Sequence, residues 1–184
     1  LLPSQSIATN VSGEFSVPTF TCPSSTAQVY LVGRGGNGAA GLGDNPAITM
    51  MAALGDCGSL TSSTTVVMNE VTTAASAWAL AQFIGPSANI GASAANATGL
   101  RNAFLMIANL VDTSKGTAPG PSLPANTLLE IAKINTLADI LWACDQSTSA
   151  GACQNLFAAT TQSAATPANT LDAALNIVRN PAAQ

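Results

Sequence analysis

Four cysteines, Cys22, Cys57, Cys144 and Cys153, constrain this 184-residue chain more than any other feature. They stand singly, with no C-x-x-C pair, and no histidine is present to complete a mixed zinc shell, so a metal reading reduces to a four-thiolate zinc site. An even count with one close pair, Cys144 and Cys153 framing "DQSTSAGA", instead suits two disulfides in an oxidising compartment. Of the connectivities that four cysteines allow, Cys22–Cys57 with Cys144–Cys153 is favoured, and no metal-ligand set is assigned.

The remaining composition agrees with a folded, exported chain. Hydrophobic residues make up 47% and charged residues only 8%, where an ordinary soluble domain carries about 25% charged side chains. A surface this poor in charge repels copies of itself weakly, which leaves association open beside the plainer reading, a compositional habit of secreted proteins; composition alone does not choose between them. Five Lys/Arg against nine Asp/Glu give a net charge of −4 with no basic cluster, which excludes a nucleic-acid partner. No apolar run reaches the roughly 18 residues of a membrane span; "AASAWALAQFIG" comes nearest and is broken by Ser76 and Gln82. Beginning at Leu1-Leu2-Pro3, without initiator Met or signal peptide, the sequence reads as a processed, secreted chain.

Hydrophobic periodicity divides it into a β region, 1–43, and an α-helical bundle, 44–184. "GEFSVPTF" alternates around Phe15 and Val17, turns at Pro23-Ser24-Ser25, and continues in "AQVYLV" as a second strand. Asp44-Asn45-Pro46 caps a short helix through "AITMMAAL" to Gly55. From Asn69 a helix should bury Val71, Ala74, Ala75 and Trp78 before Gly85-Pro86. Thr98 caps another, with Leu100, Phe104, Ile107, Leu110 and Val111 on its apolar face and its end near Gly116. Thr127 and Glu130 form a T-x-x-E capping box for a helix burying Ile131, Ile134, Leu137, Ala138, Leu141 and Trp142. A short helix over 155–160 and an Asn169-capped helix to Asn180-Pro181 complete the bundle.

Gly33-Arg34-Gly35-Gly36-Asn37-Gly38 fits the G-x-G-x-x-G pattern that holds a dinucleotide pyrophosphate at a helix start, with Asp56 at about the right distance for the ribose. Further glycines and Pro46 keep the chain in a loop, and no βαβ unit surrounds it, so the run reads as slack between sheet and bundle and no cofactor is expected. Catalysis also lacks its usual players: without histidine there is no Ser-His-Asp or Cys-His set. Glu70, Glu130 and Asp139 are the carboxylates a glycosidase could pair, and Ser114-Lys115 the nearest approach to a Ser-Lys dyad, but solvated or capping roles suit them better, and no catalytic residue is assigned. Asn10-Val11-Ser12 and Asn96-Ala97-Thr98 match the glycosylation sequon, making Asn10 and Asn96 candidate acceptors.

Two resemblances add to this. "IATNVSGEFSVPTFTCPSSTAQVYLVGRGG" resembles the later strands of a carboxypeptidase-regulatory-like, transthyretin-type β-sandwich module, matching its T-x-x-S/D-G-x-F/Y turn and Y-x-V strand at Thr9, Ser12, Gly13, Phe15, Tyr30 and Val32. "ITMMAALGDCGSL", "VMNEVTTAASAWALAQF" and "EIAKINTLADILWAC" are similar to an uncharacterised helical segment of secreted bacterial surface proteins, acidobacterial ones especially. Neither brings catalytic residues. Such a module has about seven strands, so the first resemblance implies an incomplete sheet whose edge another chain can cover, "LLPSQSIATN" being the donated segment. The expectation is therefore an α+β protein, a small N-terminal antiparallel β part followed by a disulfide-stapled helical bundle. It would act as a self-associating structural subunit of an extracellular filament or surface assembly, with copies of itself as partners. The alternatives are a monomeric adhesion or carbohydrate-binding module and, less favoured, an exported carboxylate-dependent hydrolase.

Overall fold

The computed structural model describes residues 6–38, 43–146, 150–163 and 165–182. Residues 1–5 of the expected donor segment, Gly41 of the glycine run and residues 147–149 of the loop between Cys144 and Cys153 lie outside them. The architecture is α+β: a two-stranded antiparallel sheet, β1 (Gln28–Arg34) and β2 (Thr49–Asp56), and five helices, α1 (Glu70–Leu80), α2 (Ala97–Leu110), α3 (Ile131–Asp145), α4 (Ala150–Ala159) and α5 (Thr170–Arg179).

The segment expected to be a short capped helix is β2. Asn45 does organise the start, its Oδ1 accepting from the Ala47 amide at 3.0 Å, but no helix follows. Helix propensity in an alanine-rich run is a weak preference, and tertiary partners override it. On one side β2 pairs with β1, Leu31 opposite Ala52 and Gly33 opposite Met50, with a register shift between Val29 and Tyr30. On the other side, side-chain hydroxyls from two helices take the place of a third strand. The amides of Thr49, Met51 and Ala53 donate to Thr170 Oγ1 at 2.9 Å, Thr73 Oγ1 at 3.0 Å and Ser76 Oγ at 3.2 Å. Thr170 returns a hydrogen bond to the Thr49 carbonyl at 2.9 Å. The sheet therefore spans the expected division at 43/44, whose two sides hold one strand each.

Such contacts require α1 to lie close against β2. Its sequence allows this: Thr72 to Ala77, six consecutive small residues, are all buried. Small side chains let the helix approach until its hydroxyls reach the strand backbone. Trp78 does not fit so close an interface and is 42% exposed, contrary to the expectation that α1 buries it. Asn69 caps α1 with Thr72 in a reciprocal box: Asn69 Oδ1 accepts from the Thr72 amide at 3.0 Å and Thr72 Oγ1 from the Asn69 amide at 2.9 Å.

The core gathers Met51, Leu80, Phe104, Ile107, Val111, Ile134, Leu141 and Leu171 from β2 and the helices. α2 buries Ala103, Phe104, Ile107 and Leu110; it ends at Leu110 rather than near Gly116, and Asn96, not Thr98, holds its cap position. α3 buries Ile134, Leu137, Ala138 and Leu141 as its period requires, but Trp142 stands 54% exposed. The expected Thr127–Glu130 capping box is absent: Glu130 makes no side-chain cap bond and pairs with Lys133 instead. α4 begins earlier than expected, at Ala150. α5 is capped by Asn169, whose Oδ1 accepts from the Asp172 amide at 3.0 Å, and its Arg179 donates to the carbonyls of Ala81 and Ile84.

Both disulfides form in the favoured connectivity, Cys22–Cys57 and Cys144–Cys153, which closes the four-thiolate zinc alternative. Residues 13–20, expected as the first strand, form none. Phe15 and Val17 are half-buried between exposed neighbours, but Pro18 and Thr19 are both exposed and break the alternation before half-buried Phe20, and the segment joins no ladder.

Candidate functional site

β1 has one partner strand and one free edge. Gly35 N donates to the Ile48 carbonyl and Cys57 N to the Ala27 carbonyl, which places the odd-numbered residues of β1 in hydrogen-bonded register with β2. In an antiparallel pair the alternate residues turn their amides and carbonyls the other way. Those residues are Tyr30, Val32 and Arg34, opposite Ala53, Met51 and Thr49. Among the described residues, no hydrogen bond meets the outward backbone groups of Tyr30 or Val32. The two edges of the sheet thus differ: helix hydroxyls bond that of β2, and among the described residues that of β1 has no hydrogen bond at Tyr30 or Val32.

The side chains of β1 are nevertheless fixed. Tyr30 Oη accepts from the Ile90 amide at 3.3 Å, Arg34 donates to the Ser87 carbonyl at 2.8 Å, and Gln28 donates to Asp56. Arg101 pairs with the same carboxylate at 2.8 Å, and these two donors lower the Asp56 pKa. Asp56, a candidate ribose ligand by spacing, is thereby committed to the sheet and α2.

The arm preceding β1 lies beside this edge in the chain. Residues 6–10 are exposed, Asn10 organises a turn by accepting from the Ser12 and Glu14 amides, and Ile7 and Val11 project large apolar side chains into solvent. Cys22 then ties the arm to Cys57, at the end of β2.

The glycine run follows β1, with Gly35 and Gly36 at φ +66° and +107°. Among the described residues the next element after it is β2, not a helix. Nor is it slack throughout: Gly38 packs against the Asp145 backbone so closely that a Cβ there would lie 2.1 Å from the carbonyl oxygen.

The carboxylates weighed for catalysis are dispersed. Glu130 and Asp139 are exposed, the former paired with Lys133, and Glu70 is half-buried in the first turn of α1. Ser114 and Lys115 both turn to Asp112 rather than to each other: Ser114 Oγ donates to it at 2.6 Å and Lys115 Nζ lies 3.0 Å away, holding its pKa down at about 2. This turn lines an otherwise mainly apolar cavity of about 130 Å³ beside Phe104, Ile107 and Val111.

Asp145 escapes sequence reasoning altogether. Its carboxyl is buried at the end of α3, and burial, with the charge of Glu70, pushes its pKa up to about 7. The one signal in the sequence is an acid in the last turn of a helix, where the macrodipole disfavours it. Asn10 and Asn96, the sequon asparagines, are both exposed.

Among the described residues no three His, Cys, Asp or Glu side chains gather as a metal-ligand group. Among them, too, no helix is long and apolar enough to cross a membrane; with two disulfides this is consistent with a secreted or extracellular protein. Compared with protein-family models, curated proteins and solved structures, the chain matches none.

Proposed function

We propose that this protein is a structural subunit of an extracellular filament or surface assembly, in which the arm of one copy adds as a strand to β1 of the next. The observation that carries this reading is the open edge at Tyr30 and Val32. A free edge is a template for strand addition, and natural proteins usually cover, twist or charge one that is to remain alone. In β1 only the terminal Arg34 is charged. The arm supplies the complementary element, with residues 6–14 exposed and the apolar side chains of Ile7 and Val11 unpacked. The low charge of the surface and the resemblance to transthyretin-type strands favour the same mode.

The test is size analysis by light scattering and negative-stain microscopy across a dilution series, with a peptide of residues 1–12 as competitor. Assemblies are expected at neutral pH and should shorten as the peptide caps the β1 edge. Wild-type protein that remains folded and monomeric at every concentration would sink the proposal. Val32→Pro, which removes one outward amide donor, should weaken association while leaving the helical circular dichroism intact.

One observation favours the second reading, an adhesion or carbohydrate-binding module. Trp78 and Trp142 offer the exposed aromatic surface that sugar stacking needs. It predicts saturable quenching of tryptophan fluorescence by a cell-surface glycan, lost in Trp142→Ala or Trp78→Ala.

A further inference from the structure

α3 ends on a carboxyl that the fold leaves without help. Asp145 is 3% exposed, and neither of its oxygens has a hydrogen-bond partner among the described residues. A charged carboxylate in that position is costly unless a cation or several donors meet it.

No such cation is at hand. Glu70 of α1 faces Asp145 and is itself acidic. α4 carries no ionisable side chain apart from the disulfide-bonded Cys153. On α5, Asp172 is hydrogen-bonded to Asn169, and Arg179 is committed to the carbonyls of Ala81 and Ile84. Arg34, at the near end of the glycine run, donates to Ser87, and Asp44 beyond it is exposed and acidic. On α3 itself, Lys133 pairs with Glu130 at the opposite end and Asp139 is exposed. The helix C-terminus adds its own negative partial charge.

The same point is where the glycine loop is fastened. Gly38 lies against the Asp145 carbonyl, Gln146 Nε2 donates to the Gly38 carbonyl at 2.7 Å, and Asn45 Nδ2 donates to the Cys144 carbonyl at 3.1 Å. Gly38, just after β1, and Asn45, just before β2, are thus both held to the backbone and side chains at the end of α3, at the residue that carries the buried carboxyl.

We propose that Asp145 is a proton-operated latch: its neutral form lets Gly38 and Asn45 close on the end of α3, and its ionisation loosens that attachment. The folded-state pKa, raised from 3.8 to about 7, fixes the direction. The stabilisation is complete below the unfolded value and is lost as pH rises through about 7. No imidazole or free thiol titrates in that window, because the chain has no histidine and its four cysteines are all in disulfides.

The test is carbon-detected NMR titration of the Asp145 carboxyl from pH 4 to 9, with exchange of the hydrogen-bonded amides of Asn45 and Gln146 measured at pH 5.5 and 8 and corrected for intrinsic rates. The carboxyl should titrate with a midpoint near 7, and loop protection should fall about tenfold or more between the two pH values. Asp145→Asn should remove the pH dependence of that protection. Should this variant not fold, Glu70→Gln, which deletes the facing charge, should lower the midpoint. A midpoint near 4, or a midpoint near 7 with unresponsive loop amides, would overturn the proposal.

Discussion

Replacing Thr73 with valine keeps the shape of a buried side chain and removes one hydroxyl. The partner that suffers is the amide of Met51, which donates to Thr73 Oγ1 at 3.0 Å and lies in a residue that is fully buried. The other bond of that hydroxyl, to the Asn69 carbonyl at 2.7 Å, is less costly to lose, since the same carbonyl also accepts from the Thr73 amide and Thr72 Oγ1. Valine and threonine have nearly equal helix propensities, so the change isolates the orphaned amide. An unsatisfied buried donor costs about 1–3 kcal/mol, against a net stability of about 5–15 kcal/mol for a typical domain. Thr73→Ser, which keeps the hydroxyl and loses one methyl group, should cost about 1 kcal/mol. The measurement is urea unfolding with the disulfides intact, together with hydrogen exchange. Valine should lower the midpoint and accelerate exchange at Met51 more than at Met50 or Ala52, which face β1. Ser76→Ala should do the same at Ala53, and Thr170→Val at Thr49. If Thr73→Val leaves both the midpoint and the Met51 exchange rate unchanged, the hydroxyls are not what completes β2, and the account of its strand state fails.

Three further outcomes are expected. Asp112, held at a pKa of about 2 by Ser114 and Lys115, contributes stability that is present above its unfolded value of 3.8 and lost as pH falls toward 2; Asp112→Asn should therefore lower the melting temperature at pH 7 and match the wild type near pH 2. Gly38→Ala, which drives a Cβ into the Asp145 carbonyl, should cost about 1–3 kcal/mol in chemical unfolding. Gly91→Ala, with open space around the new atom, should stay within about 0.5 kcal/mol of wild type.

Local features of the chain were readable in advance. The Asn169 cap and the period of α5 depend on residues within one or two turns, as does the start of α1 at Asn69. The strand at Val29 to Val32 and the pairing of Cys144 with Cys153 were also legible, one from an apolar run and the other from proximity. β2 was not. Its alanines and methionines suit a helix, and what makes them a strand arrives from Thr73 and Ser76, 22 and 23 residues on, and from Thr170, 121 residues on. The same close packing explains the exposure of Trp78. Large apolar side chains are expected inside, but a helix drawn in by Thr73 and Ser76 has no room for Trp78. Of the candidate sites, the free edge of β1 could be anticipated from an unpartnered strand pattern. The burial of Asp145 could not, because no spacing rule tells where the glycine run will come to rest.

The Cys22–Cys57 bond has a mechanical meaning for any protein anchored or pulled through its N-terminal arm. Tension applied before residue 22 crosses the sulfur atoms to Cys57 and does not enter the hairpin between them. The 35-residue loop so bypassed would add about 120 Å of extended chain if it could pay out, and the 9-residue loop at Cys144–Cys153 about 30 Å more. Under load the chain is therefore shorter and stiffer than its residue count implies, and β1 keeps its edge in shape while the force runs past it.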